Sequence, residues 1–156
     1  QAASVDYFLK IDGIDGESKD DNHKNEIDIY SWSWGATQTG TGGSGGGGGA
    51  GKVSMQDFHF TMPMSKATPK LMLATAKGEH FREAVITMRK SGKDQQEFMV
   101  IKLEDVLVSS IQSGASSGQL PTESLSLNYA KISWTYTADD GEVIRGGWDV
   151  AGNVEL

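Results

Sequence analysis

Apolar residues occupy every second position near the start of the chain, from Val5 to Ile11, and charged residues such as Asp6 and Lys10 lie between them. Successive side chains of a β-strand point to opposite faces, so this period of two is typical of a strand with one buried face. The first ordered element is therefore predicted to be a half-buried strand.

Four later segments alternate in the same way, and in each the apolar residues change from odd to even positions partway. They run from Ile27 and Ile29 to Tyr30, Trp32 and Trp34; from Val53 and Met55 to Phe58 and Phe60; from Met99, Ile101 and Leu103 to Val106 and Val108; and from Leu125, Leu127 and Tyr129 to Ile132, Trp134 and Tyr136. One extra residue in a strand moves its side chains to the opposite face and bends it, as happens where long strands turn a corner. We therefore predict a mainly β fold, a bent antiparallel β-barrel or sandwich that is closed or nearly closed.

One helix is predicted to flank or plug this barrel. Thr68 suits the N-cap, Pro69 the first helical position and Gly78 the C-terminal end. The apolar side of this helix is expected to consist of Leu71, Met72, Thr75 and Ala76. A stripe of this kind indicates packing against a core, not a cofactor site.

Two connections between the predicted strands have a distinctive composition. Asp140-Gly141 lies between two alternating runs and is typical of a β-hairpin turn. Gly40–Gly51 holds nine of the 20 glycines, which lose much backbone entropy on ordering and have no side chain to pack. This long Gly-rich loop is expected to protrude from the fold and to be functional or disordered.

The total composition excludes several classes of protein. The 156 residues suit a single domain, 1–156, that can bury a core without cross-links, and the chain has no cysteine for disulfides, thiolate metal sites or a cysteine nucleophile. The net charge is −7, from 21 acidic and 14 basic residues, which disfavours nucleic acid and anionic membranes as partners. No apolar run is long enough to span a membrane, and the start of the chain shows no signal-peptide pattern. We expect neither nucleic-acid binding nor membrane insertion.

The sequence motifs that formally match catalytic sites are mostly coincidences of the glycine run. Gly46, Gly51 and Lys52 fit a phosphate-binding loop, but Val53 replaces the Ser or Thr that would hold magnesium, and the following residues alternate like a strand, where that loop needs a helix. Ser44 fits a nucleophile elbow by spacing, without a strand before it or a helix after it. No catalytic residue and no cofactor are predicted.

No metal site is predicted either. His23, His59 and His80 lie far apart, and His59 should point away from the face that its two phenylalanine neighbours bury. The span 12–28 carries seven acids against two lysines, with the acids Asp12, Asp15, Glu17, Asp20 and Asp21 near its start. These acids lack the spacing of a calcium loop, so solvated charge is the expected reading.

Several longer blocks of sequence occur in a specific order. They are Gly16-Glu-Ser-Lys-Asp20, Glu26-Ile-Asp-Ile-Tyr-Ser-Trp-Ser-Trp-Gly35, the glycine-rich run ending Gly51-Lys-Val, Thr68-Pro-Lys-Leu-Met-Leu-Ala74, Ile86-Thr-Met-Arg-Lys90, Leu103-Glu-Asp-Val-Leu-Val-Ser-Ser-Ile111 and Gly147-Trp148. In these blocks the chain resembles the haemolysin-coregulated protein family, the tube subunit of the bacterial type VI secretion system. The resemblance extends from Val5 to about Asn153.

This resemblance implies a β-barrel whose copies form a six-membered ring, with rings stacking head to tail into a hollow tube. It also implies effector proteins carried and protected in the lumen, sheath and spike components as further partners, and secretion from the bacterial cytoplasm without a signal peptide. The Gly-rich loop is expected to contact the next ring through Gly40, Thr41, Gly42, Gly43, Ser44, Gly45, Gly46, Gly47, Gly48, Gly49, Ala50 and Gly51.

Alternation also yields a candidate cargo surface. If Trp32 and Trp34 point into the core, Ser31 and Ser33 point to the other face. In a ring that face is either the lumen or the outer wall, and we expect it to line the lumen. Two other readings stay open. A monomeric barrel that binds a small ligand or sugar would need exposed tryptophan rings as a stacking platform, and a hydrolase would need one of the formal motifs to be functional.

Overall fold

The computed structural model describes residues 4–40, 51–92 and 94–156. In this part of the chain there are eleven strands and one helix. Their bounds are β1 Val5–Ile11, β2 Ile27–Ile29, β3 Ser31–Ser33, β4 Ala36–Gln38, β5 Val53–Met55, β6 Phe58–Pro63, α1 Thr68–Lys77, β7 His80–Lys90, β8 Glu97–Gly114, β9 Thr122–Thr137, β10 Val143–Asp149 and β11 Val154–Glu155. The prediction of a mainly β fold with one helix is confirmed.

Nine of the strands form one antiparallel sheet in the order β11-β10-β9-β8-β7-β1-β2, and β6 connects β9 to β3. The long strands β8 and β9 form the centre of this sheet, with β6 and β10 sharing one edge of β9. In the described residues no ladder joins the two ends of this path, so the sheet is not a closed barrel. Strands β4 and β5 form a separate two-stranded sheet.

The predicted change of buried face occurs in the two long strands. Leu103 and Val106 of β8 are three positions apart, so in a regular strand they would lie on opposite faces, yet both are fully buried. Tyr129 and Ile132 of β9 are also three positions apart and both buried. The bulge proposed as the cause is wrong at this point, because the pairing register of β8 and β9 continues unbroken across it. Asp105, between Leu103 and Val106 in β8, has instead a left-handed backbone conformation with a φ of 54°.

The helix bounds agree with the prediction, but its cap and its buried side do not. Ala67 occupies the N-cap position without a side-chain hydrogen bond, and Gly78 ends the helix in the left-handed conformation. The buried helical residues are Leu71 and Ala74, whereas Met72 is 52% exposed. Leu71 and Ala74 are three positions apart and share one side of the helix, and Met72 is rotated away from β8 by about 100° relative to Leu71.

The core lies between the two halves of the bent sheet and under α1. Its largest fully buried side chains are Phe58, Phe60, Leu9, Ile11, Ile27, Met62, Leu71, Ile86, Ile101, Leu103, Leu125 and Leu127. Trp32 and Trp34 are half-buried and pack against this core. Alternation placed Tyr30 on the same face, but it is 56% exposed. Tyr30 lies between β2, which pairs with β1, and β3, which pairs with β6, and its backbone N–H already bonds to Thr61 of β6. The Asp140-Gly141 hairpin between β9 and β10 is confirmed.

Candidate functional site

A row of hydroxyl-bearing side chains covers the outer face of three neighbouring strands. The register aligns Ser31 of β3 with Thr61 of β6 and Ser124 of β9, and it aligns Ser33 with His59 and Ser126. Directly paired residues project on the same side of a sheet. We call these six residues, Ser31, Ser33, His59, Thr61, Ser124 and Ser126, the hydroxyl face.

The residues between them fix the orientation of this face. Trp32, Phe60 and Leu125 are aligned across the same three strands and point the other way, toward the core. Phe60 and Leu125 are almost completely buried, and Trp32 stacks on Phe58 with ring centroids 5.5 Å apart. Because the aromatic side of these strands is anchored in the core, the hydroxyl face is held on the outside by rigid elements.

The hydroxyl face is shallow, polar and almost uncharged. Ser31 Oγ and Thr61 Oγ1 are 2.5 Å apart, and Ser126 Oγ lies 2.8 Å from His59 Nδ1. A cavity of about 210 Å³ opens over these residues. Hydroxyl groups both donate and accept hydrogen bonds, so the face can contact varied polar groups without selecting for charge. In the described residues no carboxylate contacts His59, so the Ser126–His59 pair lacks the orienting third group of a hydrolase triad.

The structure places Ser31 and Ser33 exposed on the side opposite Phe60. His59 is exposed between the buried Phe58 and Phe60, as alternation predicted. What sequence reasoning missed is that His59, Thr61, Ser124 and Ser126 extend the serine pair into one surface. The signal was present in the alternation of β6 and β9, but the pairing of these strands with β3 was not predictable from it.

The Gly-rich loop begins and ends at a short hairpin. Gln38 of β4 pairs with Val53 of β5, and Gly51 approaches β4 so closely that an added Cβ would lie 2.6 Å from the Gln38 and Thr39 side chains. Residues Thr41 to Ala50, including Ser44 and Gly46, lie outside the described residues. Val53 begins a strand, which confirms the prediction that the residues after the glycine run form a strand.

The tryptophan rings are mainly engaged with one another and with the core. Trp34 and Trp134 lie 5.1 Å apart between ring centroids, and the Trp34 indole N–H donates to the Tyr129 hydroxyl at 2.6 Å. Burial raises the pKa of that tyrosine hydroxyl. With Trp148 and Met55 these rings line an apolar cavity of about 190 Å³. The rings are therefore edges of the core and not an open platform for sugar stacking.

A buried charged cluster was not expected from the sequence. Arg89 is 3% exposed, and its guanidinium donates two hydrogen bonds of 2.8 Å to Asp20 and one of 3.2 Å to Asp6. The bonds to Arg89 lower the pKa of Asp20 to about 2, and the bonds to Asp20 raise the pKa of Arg89. The interpretation of the acidic stretch as solvated charge is thus wrong for Asp20. Asp12 accepts a bond from Arg82, but this pair lies at the surface. Arg89 is covered by the acidic stretch around Asp20, which lies 69 residues earlier in the chain. The alternation of residues in β7 could not predict this contact.

His23 belongs to the same cluster. It is 7% exposed, with Glu26 2.9 Å from Nδ1 and Glu97 2.6 Å from Nε2. His80 instead forms an exposed pair with Asp105. Among the described residues, no group of three or more His, Cys, Asp or Glu side chains could hold a metal ion. Over the same residues, no helix is long and apolar enough to cross a membrane.

Comparison with known proteins places these features in context. A family model described as "Type VI secretion system effector, Hcp" matches residues 8–136. Protein hcp1 of Pseudomonas aeruginosa is 48% identical over 160 residues, which cover 97% of this chain and 99% of that protein. The crystal structure of Hcp1 from Salmonella typhimurium is 34% identical, with a TM-score of 0.86 over 99% of this chain and 100% of that one. A type VI secretion system effector from Yersinia pestis is 32% identical, with a TM-score of 0.80 over 93% and 100% of the two chains.

Proposed function

The chain belongs to the Hcp family of type VI secretion proteins, and from this we propose that it is the structural tube subunit of such a system. Its copies form six-membered rings, and the rings stack head to tail into a hollow tube that carries and protects effector proteins. The observation that carries this proposal is the match over nearly the whole chain, at 48% identity, to Protein hcp1. The chain is then a structural protein and not an enzyme.

The route and the partners follow from the same membership. Hcp proteins of type VI secretion systems are secreted. We propose that this subunit is made in the bacterial cytoplasm and leaves the cell through the machine itself, in contact with its sheath and spike components. Copies of the same chain are its principal partners, and effector proteins are its cargo.

The chemistry of the hydroxyl face suits a surface that lines the lumen of the tube. Cargo of varied sequence must be held weakly and released, which favours a surface with small side chains and little charge. The hydroxyl face has these properties, and the buried aromatic residues behind Ser31 and Ser33 keep it rigid. We assign this face to the lumen.

The Gly-rich loop is assigned to the contact between stacked rings. The β4–β5 hairpin that bears it pairs through three residues on each side and forms a sheet of its own. A loop on such a separate hairpin can be changed without disturbing the main sheet. Shortening residues 41–50 should weaken stacking and secretion and leave the ring and the fold intact.

The ring is tested by size exclusion coupled to light scattering, followed by negative-stain microscopy. A six-fold ring supports the proposal, and a monodisperse monomer at micromolar concentration would overturn it. The lumen assignment is tested separately with Ser33→Gln, which adds a longer side chain to the hydroxyl face. Ser116→Gln, in the exposed turn between β8 and β9, is the matched control.

We expect Ser33→Gln to reduce the amount of effector that copurifies with the ring, with an unchanged hexamer and melting temperature. Ser116→Gln should retain the effector like the unmodified protein. If Ser33→Gln retains all of its effector, the hydroxyl face does not contact cargo and the lumen assignment is wrong.

A further inference from the structure

The acidic stretch between β1 and β2 folds back on itself and covers the outer face of the sheet. Its ends are tied by three backbone hydrogen bonds, from Gly16 N–H to Asn25, from Ser18 N–H to Glu26 and from Asn25 N–H to Ser18. An added Cβ at Gly16 would lie 2.5 Å from the Glu26 carbonyl oxygen, so the two arms are in close contact. We call residues 16–26 the latch segment.

Two side chains, Arg89 and His23, fasten the latch segment to the sheet. Arg89 of β7 reaches Asp20 of the segment, and His23 of the segment reaches Glu97 of β8. Phe8 of β1 lies between these contacts, with its ring stacked on His23 at 4.3 Å and the Arg89 guanidinium 4.9 Å from its centre. Arginine keeps its charge at every physiological pH, whereas histidine is the side chain that changes charge near neutrality.

The geometry at His23 fits a ring with a proton on each nitrogen when both neighbouring carboxylates are ionised. Both ring nitrogens face a carboxylate oxygen at hydrogen-bond distance. An ionised carboxylate accepts hydrogen bonds and cannot donate one, so each nitrogen must donate. A ring with one proton would set a nitrogen lone pair against a carboxylate oxygen, and one of the two contacts would be lost.

The surroundings of His23 are rich in negative charge. The carboxylates in contact with its ring are those of Glu97 from β8 and Glu26 from the latch segment. The charged groups linked to this site are Asp20 of the segment, Arg89 from β7, Asp6 from β1 and Asp28 from β2. Burial, followed by the charges of Asp6 and Asp20, raises the pKa of Asp28, which reflects the crowding of carboxylates at this point. If His23 lost a proton, Arg89 would be the cation left to offset the charge of these carboxylates.

We propose that the latch segment closes on the sheet with His23 doubly protonated, and that it opens as the pH rises. This device is independent of the proposed function, since it depends on contacts within one chain. A group that binds its proton more tightly in the closed form stabilises that form at low pH, and this stabilisation is lost as the pH increases. Glu17 and Asp21 on the segment, and Asp15 just before it, are further exposed acids near the latch.

The test is hydrogen exchange of the full-length assembled protein between about pH 6 and about pH 8, expressed as protection relative to the intrinsic exchange rate at each pH. We expect protection of the Ser18 and Asn25 amides to fall about tenfold or more over this range. In His23→Gln the protection of these amides should be low and should not depend on pH. His80→Gln is the matched control, because His80 forms an exposed pair with Asp105, and it should behave like the unmodified protein.

A second variant gives the opposite expectation. The amide of Glu97→Gln can donate to a ring nitrogen that has lost its proton, so the segment should stay protected at high pH. Protection in the unmodified protein that does not change with pH, or a His23→Gln protein that follows the unmodified one, would overturn the proposal. If His23→Gln does not fold, nitrogen-15 spectra of the imidazole in the unmodified protein decide: two protons in the protected form support the latch, and one proton overturns it.

Discussion

The hydroxyl face and the cluster beneath the latch segment are both polar, but water reaches them to different degrees. The hydroxyl face consists of small polar groups, most of them exposed, and its hydrogen bonds join adjacent strands. In the cluster, Arg89 and His23 are almost completely buried, and each is bonded to two carboxylates. A buried charge that loses its partner is costly, whereas an exposed hydroxyl that loses its partner bonds to water. The cluster is therefore committed to the fold, and the hydroxyl face is free for interaction with other molecules.

Of the changes that test this comparison, removal of the Arg89 side chain should lower the stability of the protein most. Arg89→Met keeps much of the apolar stem and deletes the charge, so Asp20 and Asp6 lose their cation. We expect the free energy of unfolding to fall by about 2–3 kcal/mol, somewhat less than the roughly 3–5 kcal/mol of a broken buried pair, because both carboxylates keep some contact with water. Urea denaturation measures this change.

The matched control is Arg82→Met, since Arg82 pairs with Asp12 and is 81% exposed. This variant should change the free energy of unfolding by less than about 1 kcal/mol. Equal effects of the two arginine variants would show that burial does not distinguish the cluster from an ordinary surface pair.

The cluster should also make the stability of the protein depend on pH in acid, with a smaller change than the loss of Arg89 causes. The pKa of Asp20 is lowered from 3.8 to about 2 by its bonds to Arg89. A depressed carboxyl pKa contributes stability above its unfolded value, and this contribution is lost as the pH falls from about 4 toward about 2. Over that window the urea midpoint of the unmodified protein should decrease more steeply than that of Asp20→Asn. Asp21→Asn, which changes the exposed neighbour, should keep the steeper dependence.

Changes on the hydroxyl face should have the smallest effect on stability. Ser33→Ala and Ser124→Ala each remove an exposed or half-exposed hydroxyl and leave the strand pairing in place. We expect each to alter the free energy of unfolding by about 0.5 kcal/mol or less, measured by urea denaturation. A loss of about 2 kcal/mol would mean that the hydroxyl face is a structural network like the cluster, and the contrast between them would fail.

Much of the architecture could be predicted from local patterns. Alternation located the strands and the change of buried face between Leu103 and Val106, and the Asp140-Gly141 dipeptide marked its hairpin. These features depend on neighbours within a few residues, where strand pleating and turn chemistry decide the conformation. The exposure of Ser31 and Ser33 is of the same kind, because a strand with buried aromatic residues must turn its other side chains outward.

The tertiary structure alone decided which surfaces these elements share. Tyr30 is exposed although its parity matches Trp32, because the chain changes from one partner strand to another at that residue. Arg89 is buried although it lies on the outer side of β7, because the latch segment, contributed from much earlier in the chain, covers it. The hydroxyl face exists because β3, β6 and β9 pair in one register. Alternation fixes the face of a strand on which a side chain lies, but what covers that face depends on contacts between residues far apart in the sequence.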